Sequence, residues 1–421
     1  MQTKYVPRQV AELTRGISLL VTALIFVAAT FISSEQLARA QGFSSGSTGA
    51  DGALDLSQSP PGTIIEFNPD SFNPPLDPER DNVYHFTTIN IPSGVTVRLT
   101  AKYLSGPVFW LATGNVQING IVDLNGANGH PIAQSPAVRV PSLPGAGGFG
   151  GGIGGNNSGS PPQPGNGPLG GGPGNPNGSG FGLGGGFTGN QFLVPLVGGS
   201  GGGGNGRADT NVWGAGGGAG GGALLVASSA SVTVNGVIVA NGGSGFPCGA
   251  NAGGGAGGAI RLMAITLSGA GTLSAAGAGG GCGAGGGGIG RVRLEAFQHN
   301  FTGSINAPFS RSSPSQTFVL STPPPSVRVA SIAGVPVPPN PNGTFETPDV
   351  TFNDGAAVTV AIEARFVPPG TVVKVHVFSE NGADQIVNAA PLQGTLAQST
   401  ATASVVFPPG FSRGFVRAVW R

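Results

Sequence analysis

From residue 83 onward, the chain alternates between apolar and polar positions in short runs that end at Gly, Pro or Asn. The first two runs span 85–91 and 95–99, and Pro92-Ser93-Gly94 separates them. Period-two alternation interrupted by turn residues is typical of short β-strands. The pattern therefore predicts an all-β protein.

Four segments of this pattern align as an internal repeat. Each has a first strand ending in Ala, a second strand ending at an Asn-Gly or Gly corner, and a third short strand. The segments are 108–126, 223–242, 260–277 and 292–306, and their first strands end at Ala112, Ala227, Ala264 and Ala296. Such a unit cannot bury its apolar face alone and must stack on its neighbours. The repeat predicts a right-handed parallel β-helix. The alternative is an antiparallel sandwich of hairpins, because Asn-Gly turns also serve hairpins.

Glycine-rich inserts leave the repeats at one equivalent place, after the third strand. They span 127–222, 243–258 and 278–290, so stacked repeats would place them over one another on one side. Low complexity alone is typical of disorder, whereas near-pure glycine segments can also pack backbone to backbone as extended strands. In the ordered alternative, five large side chains would anchor the inserts to the helix: Phe149, Phe181, Phe187, Phe192 and Trp213.

The flanking regions differ in composition from the repeats. A polar, Pro-rich segment covers 41–82, and the β-helix is predicted over 83–310. A Pro-rich linker follows at 311–326. Alternating runs then return over 327–421, which predicts a small β-sandwich of immunoglobulin-like architecture.

Residues 1–40 have the pattern of a secretory signal. Basic residues precede an apolar run at 16–32, and Ala38 and Ala40 fit the small-x-small cleavage rule. We expect cleavage after Ala40 and a mature chain without a membrane span, secreted or held at the cell surface. The alternative is an uncleaved membrane anchor, although the run is shorter than the ~20 residues that a bilayer requires.

Composition narrows the function further. The 421 residues include 79 Gly and 36 Pro, and only 9% are charged. A net charge of +1 without a basic block argues against a nucleic-acid partner. Between Asp123 and Glu295 the only acidic residue is Asp209, so the paired carboxylates of a glycoside hydrolase are hard to build on the repeats. The four His residues are scattered, and neither a metal site nor a cofactor is predicted.

The two cysteines occupy nearly the same position in successive inserts. Adjacent strands stack about 4.8 Å apart, which lies within the range that a disulfide accepts. An exported location permits oxidation. We therefore predict a Cys248–Cys282 disulfide. A metal-binding thiol pair is the alternative, made poor by the lack of a nearby His.

Arg261 and Arg293 align in the first strands of successive repeats and predict an outward cationic ladder. Together with Trp213 they are the candidate contacts for a glycan. The alternative is a strand face that only solubilises the protein.

Four motifs resemble glycine-rich, pectin-lyase-like β-helix proteins exported by environmental bacteria. The motifs lie at 85–97, 118–123, 253–262 and 290–296, and the resemblance covers about residues 50–310. It implies a right-handed β-helix without an assigned activity. The Asp and Lys/Arg cluster of the active lyases and hydrolases of that fold is missing, so no catalytic residue is carried over.

The expected function is therefore that of an exported structural, surface or adhesion protein without catalytic activity. Its expected partners are a matrix or cell-surface component, or further copies of the chain. The alternative is an extracellular polysaccharide-binding or polysaccharide-cleaving protein, a lyase or glycoside hydrolase. Its site would lie among the acidic residues that precede the repeats, which are Asp51, Asp55, Glu66, Asp70, Asp77, Glu79 and Asp81.

Overall fold

The computed structural model describes most of the chain after the predicted signal. The described residues are 42–78, 81–134, 139–157, 159–209, 212–246, 251–315, 325–338, 341, 348–353, 355–379, 383–407 and 414–419. The predicted signal, with Ala38 and Ala40, lies outside them. All elements below belong to one compact unit, Ser44–Arg421. Within the described part no helix has the length and apolarity to cross a membrane.

Two large sheets of parallel strands and one antiparallel sheet of two strands, the ninth and tenth, form the first region. Its strands are β1 (Leu54–Asp55), β2 (Ile64–Glu66), β3 (Val83–Phe86), β4 (Ile89–Ile91), β5 (Thr96–Arg98), β6 (Val108–Ala112), β7 (Val116–Ile118), β8 (Ile121–Asp123), β9 (Ala133–Gln134), β10 (Val212–Trp213), β11 (Ala223–Val234), β12 (Val237–Val239), β13 (Ala259–Gly269), β14 (Thr272–Ser274), β15 (Arg291–Phe301), β16 (Ser304–Asn306) and β17 (Phe309–Ser312). One 3-10 turn, Pro69–Ser71, lies between β2 and β3.

The larger sheet has nine strands and the smaller has six. The first runs β1-β4-β7-β11-β13-β15-β17, with β3 and β6 alongside, and the second runs β16-β14-β12-β8-β5-β2. Every pairing in both sheets is parallel. Each sequence repeat thus adds one layer of strands to each sheet. The all-β prediction is confirmed, and the antiparallel alternative is wrong for these two sheets.

The observed register corrects the repeat alignment at one position. Ala112 and Ala264 both pair with Ser228, not with Ala227, whereas Ala264 pairs with Ala296 as predicted. The alignment matched alanine to alanine, whereas the pairing begins one residue later, with Leu224 opposite Val108 and Ile260, so that Ser228 occupies the alanine position. Separately, between Ser228 and Ser231, β11 has one more residue than β13. A β-bulge of this kind leaves the alternation intact on either side, so the sequence pattern alone does not reveal it.

The two parallel sheets enclose one apolar core. Alternate side chains point inward, among them Val226 and Leu262 from the large sheet and Val122 and Ile238 from the small one, and all are fully buried. Aromatic rings fill the core of the first repeats, where the ring centroids of Phe67, Tyr84, Phe86 and Trp110 lie 5.1–6.5 Å from their neighbours. Because the inward side chains of successive repeats stack on one another, the apolar face of one repeat is buried only when the next repeat covers it.

Among the described residues of the C-terminal region, the strand pairings are all antiparallel. Its strands are β18 (Ser326–Ile332), β19 (Val335–Pro336), β20 (Ala357–Arg365), β21 (Val372–Ser379), β22 (Gln385–Pro391), β23 (Gln393–Gly394), β24 (Ser399–Val406) and β25 (Gly414–Val419). They form the sheets β19-β18-β20-β24-β23 and β22-β21-β25. Val360 and Val405 from one sheet and Val375 from the other share a second, separate core.

Candidate functional site

The glycine-rich inserts fold into extended segments that lie side by side. Along 216–222, successive N–H groups donate to three neighbouring segments in turn, with N···O distances of 2.8–3.0 Å. Gly216, Ala219 and Gly222 donate to one segment, at His130, Ala127 and Leu124 respectively. Gly217 and Gly220 donate to a second segment, at Gly152 and Phe149. Gly218 and Gly221 donate to a third segment, at Gly253 and Ala256. Three residues per turn without internal hydrogen bonds is the geometry of a polyproline II helix. A β-strand would alternate with a period of two.

The same period of three joins inserts from different repeats. Along 199–205, the donors bond to 215–221, to 183–186 and to 163–166 in turn, at 2.8–3.1 Å. Segment 253–258 bonds to 200–203, to 285–288 and to 240–243. We call this assembly the polyglycine layer; it comprises 124–130, 147–155, 163–174, 182–186, 198–205, 214–222, 240–245, 251–258, 276–281 and 285–290.

Glycine is required in the layer because neighbouring backbones approach too closely for a side chain. A Cβ at Gly218 would lie 1.8 Å from the carbonyl oxygen of Gly243, and one at Gly154 would lie 1.8 Å from that of Gly214. Real Cβ atoms essentially never come within 3.0 Å of another heavy atom. By contrast, Gly279 has nothing within 4 Å of its Cβ position. Much of the glycine excess is therefore a packing requirement.

The described parts of the inserts pack backbone to backbone, as the ordered alternative predicts. The five predicted anchor residues differ in how deeply they are buried. Trp213 is buried, and Phe149 and Phe187 are partly buried. Phe181 and Phe192 remain 50% and 52% exposed, and the Phe192 ring lies beside Arg293 of β15. The buried apolar side chains of the first insert also include Ile153, Leu193 and Leu196, which sequence reasoning missed. The apolar cluster at 192–197, inside a glycine-rich segment, was the signal that could have found the last two.

The two arginines of the predicted ladder pair in register, but they do not form an open cationic stripe. Nε of Arg261 and Nε of Arg293 both donate to Oε1 of Glu295, at 2.9 and 3.1 Å. The three side chains are only 6–12% exposed. Glu295 follows Arg293 by two residues and therefore lies on the same face of β15. The predicted ladder is an Arg–Glu–Arg triad, and Phe192 lies beside Arg293 with 5.5 Å between the guanidinium carbon and the ring centroid.

Trp213 belongs to a second buried cluster, which connects the polyglycine layer to the C-terminal sheets. The guanidinium of Arg139 lies 4.0 Å from the Trp213 ring centroid and donates to Gly154 O at 3.0 Å and to Asp384 Oδ1 at 2.6 Å. The charged side chains are 5% and 7% exposed. Burial lowers the pKa of Arg139 and raises the pKa of Asp384. Trp213 is thus covered on one face by an arginine of its own chain.

The acidic residues near the start of the chain mostly fix local backbone or pair with nearby side chains. Asp55 accepts hydrogen bonds from the N–H of Ser57 and from Nδ2 of Asn90. On the outer face of the small sheet, Arg98 pairs with Glu66 at 2.9 Å and with Asp123 at 3.4 Å. Asp123 is partly exposed there, as its strand position predicts. Glu79 lies outside the described residues.

Asp77 is the most perturbed of these carboxyls. Its oxygens accept the N–H groups of Asp81 and Asn82 at 3.0 and 2.8 Å. Burial raises the pKa of Asp77 to about 7, and the neighbouring Asp81 adds to the shift. Both oxygens are thus engaged by the loop that leads into β3. Among the described residues, no group of three or more His, Cys, Asp and Glu side chains could hold a metal ion.

The cysteine-bearing inserts adjoin each other in the layer. The N–H of Gly281 donates to Ala252 O at 2.8 Å, which connects the insert of Cys282 to the insert of Cys248. Cys248 itself lies outside the part of the chain that the structure describes. The Cys248–Cys282 disulfide therefore remains a prediction.

Comparison of the chain with protein-family models, with curated proteins and with solved structures finds no match. The function proposed below is therefore argued from the chain's own residues.

Proposed function

We propose that this chain is an exported structural or surface protein without catalytic activity, in which a right-handed β-helix carries the polyglycine layer as a stiff flank. The observation that carries the proposal is the period-three hydrogen bonding of the layer. It uses the backbone of inserts from three repeats to build one cross-linked slab. A slab of this kind adds rigidity and surface but few of the charged groups that catalysis uses.

The β-helix and its handedness are supported by the parallel pairing of successive repeats. Strands of one repeat pair in register with the next across both sheets. Crossover connections between parallel strands of one sheet are right-handed in about 98% of cases, because strand twist favours that path. The kinship with glycine-rich pectin-lyase-like proteins and the immunoglobulin-like class of the C-terminal sheets belong to the same proposal.

Export is supported by the signal pattern of residues 1–40. Only 9% of the residues are charged, and a weakly charged surface with exposed apolar side chains suits contact with an extracellular matrix or with a cell surface. The scaffold is proposed to act through surface contact, without substrate turnover.

A polar ladder of five neutral side chains and one terminal carboxylate favours glycan binding as a second candidate function. It crosses six parallel strands of the large sheet in register, at the ~4.8 Å spacing of neighbouring strands. Its members are Asp55, Asn90, Gln117, Thr233, Ser268 and Asn300. Hydroxyl and amide groups at a regular spacing can exchange hydrogen bonds with sugar hydroxyls. This observation favours binding over cleavage, since the row has a single carboxylate at its end.

A glycan screen of the purified, exported chain tests the proposal. We expect no turnover of plant or microbial polysaccharides, and turnover of any of them would overturn the non-catalytic assignment. Binding without turnover would support the second candidate, provided that Gln117→Ala weakens it. The matched control is Thr272→Ala, which removes a polar side chain from the outer face of the small sheet and should leave such binding unchanged.

A further inference from the structure

The outermost segments of the polyglycine layer form one continuous face with exposed apolar side chains. The segments 169–174, 181–187 and 285–289 are joined by hydrogen bonds such as Leu183 N–H to Gly172 O and Gly288 N–H to Gly185 O, both at 2.8 Å. We call this surface the outer glycine face. Its large side chains are 50–59% exposed: Leu169, Phe181, Leu183 and Ile289.

The period-three pattern is incomplete on this face. Gly182 and Gly185 donate to one neighbouring segment, and Leu183 and Gly186 donate to another. The N–H and carbonyl of Gly184 have no hydrogen-bond partner among the described residues. Gly286 in the adjacent segment likewise has no backbone hydrogen bond there, and its carbonyl oxygen lies against Gly184, 1.9 Å from the position of a Cβ on that residue. Interior segments such as 216–222 fill all three directions, whereas the outer face has hydrogen-bonding neighbours in only two of them within the described part of the chain.

Charge does not oppose a like neighbour here. No charged residue occurs between Arg139 and Arg207 or within 276–290, the stretches that supply the whole face. Two copies of the face can therefore meet without like-charge repulsion, which would otherwise disfavour contact between identical surfaces. Each copy also offers both the donors and the acceptors that the other lacks. A two-fold contact brings the same patch of both copies together and therefore requires a patch that is complementary to itself.

We propose that the outer glycine face is the docking surface for a second copy of this chain. The two copies continue the period-three hydrogen bonding across the interface and bury Leu183 and Ile289. This inference rests on the proposed structural function and names the partner of its surface. Water is displaced from apolar side chains, and the backbone groups of Gly184 and Gly286 gain protein partners.

Sedimentation velocity of the full exported chain, from about 1 to about 100 µM, tests the proposal. We expect a concentration-dependent dimer, and the double variant Leu183→Asp with Ile289→Asp should raise its dissociation constant at least tenfold. Both side chains are exposed, so a matching circular dichroism spectrum and melting temperature would show that the variant folds. The control is Ile386→Asp, a 58% exposed residue of the C-terminal sheets.

Three results would overturn the docking surface. One is a monomer at every concentration, and another is a dimer that the double variant leaves intact. The third is a dimer that Ile386→Asp disrupts as strongly as the double variant does. None of these results concerns glycan turnover, so the non-catalytic assignment is tested separately, by the glycan screen.

Discussion

Replacing Gly218 with Ala probes the requirement for glycine at the centre of the polyglycine layer. The added Cβ would begin 1.8 Å from Gly243 O and must reach at least 3.0 Å, a displacement of 3.0 − 1.8 = 1.2 Å. Gly243 N donates to Ala219 O at 2.7 Å, and Gly243 O accepts from Gly255 N at 2.8 Å. A shift of that size stretches one or both bonds beyond hydrogen-bond range.

The expected cost follows from these two effects. Overpacking a tightly packed site costs about 1–3 kcal/mol, and each buried backbone group left without a partner costs about 1–3 kcal/mol. We therefore expect Gly218→Ala to lower the free energy of unfolding by about 2–5 kcal/mol and the melting temperature by roughly 4–20 °C.

Differential scanning calorimetry of the variant and of a matched control measures the effect. Gly279 lies in the same class of insert, but its Cβ position is open, so Gly279→Ala should be neutral or stabilising by up to about 1 kcal/mol. Equal melting temperatures for the two variants would refute the packing argument.

Three further predictions concern buried charge and the cysteines. Because burial raises the pKa of Asp77 to about 7, the folded chain keeps this proton between about pH 4 and pH 7 while the unfolded chain releases it. The unfolding free energy should therefore fall as pH rises through that window. Urea titrations at several pH values should show a weaker dependence of the unfolding free energy on pH in Asp77→Asn, and an unchanged dependence would contradict the burial argument. Asp384→Ala should cost about 3–5 kcal/mol because it leaves the Arg139 charge buried, and denaturant titrations should find most of that cost recovered when Asp384→Leu is combined with Arg139→Met; equal losses in both variants would speak against a charge effect. Non-reducing peptide mapping should find a Cys248–Cys282 peptide, and Cys282→Ser should cost about 4 kcal/mol in the same titrations; two free thiols in the map would rule the disulfide out.

The alternating repeats determine the parallel sheets directly, and this part of the fold is readable from the sequence. Leu262 and Leu294 recur at one inward position because each strand repeats the same face, so periodicity and burial carry the same information. The repeat alignment is off by one residue at β11, where Ser228 occupies the position that alanine holds in β6 and β13. Nothing in the local sequence marks it, because serine and alanine are both tolerated at that corner.

The polyglycine layer is less readable because its pattern is carried by the backbone. Glycine has no side chain to indicate which face is covered, so a period of three leaves almost no trace in the sequence. Buried alanines such as Ala219 and Ala256 occupy the few places where a Cβ fits, but similar alanines are common in any low-complexity segment. The inserts were therefore recognisable as a unit, whereas their helical geometry was not.

The buried charges were the least predictable features. Arg139 and Asp384 are 245 residues apart, and no motif connects them. Glu295 was visible beside Arg293, yet its bridging role depends on the in-register stacking of Arg261 in the preceding strand. Both contacts depend on long-range packing, which a single sequence does not encode in any local pattern.

Hydrogen–deuterium exchange of the intact chain tests most directly whether the glycine-rich inserts form an ordered, hydrogen-bonded layer. The informative peptides cover 198–206 and 214–222, with β11 as the internal reference. We predict that the amides of both peptides exchange as slowly as those of β11, because those of 198–205, Gly214 and 216–222 are bonded to neighbouring segments. Complete exchange of both peptides at the earliest time point, with β11 still protected, would contradict the polyglycine layer and the scaffold built on it.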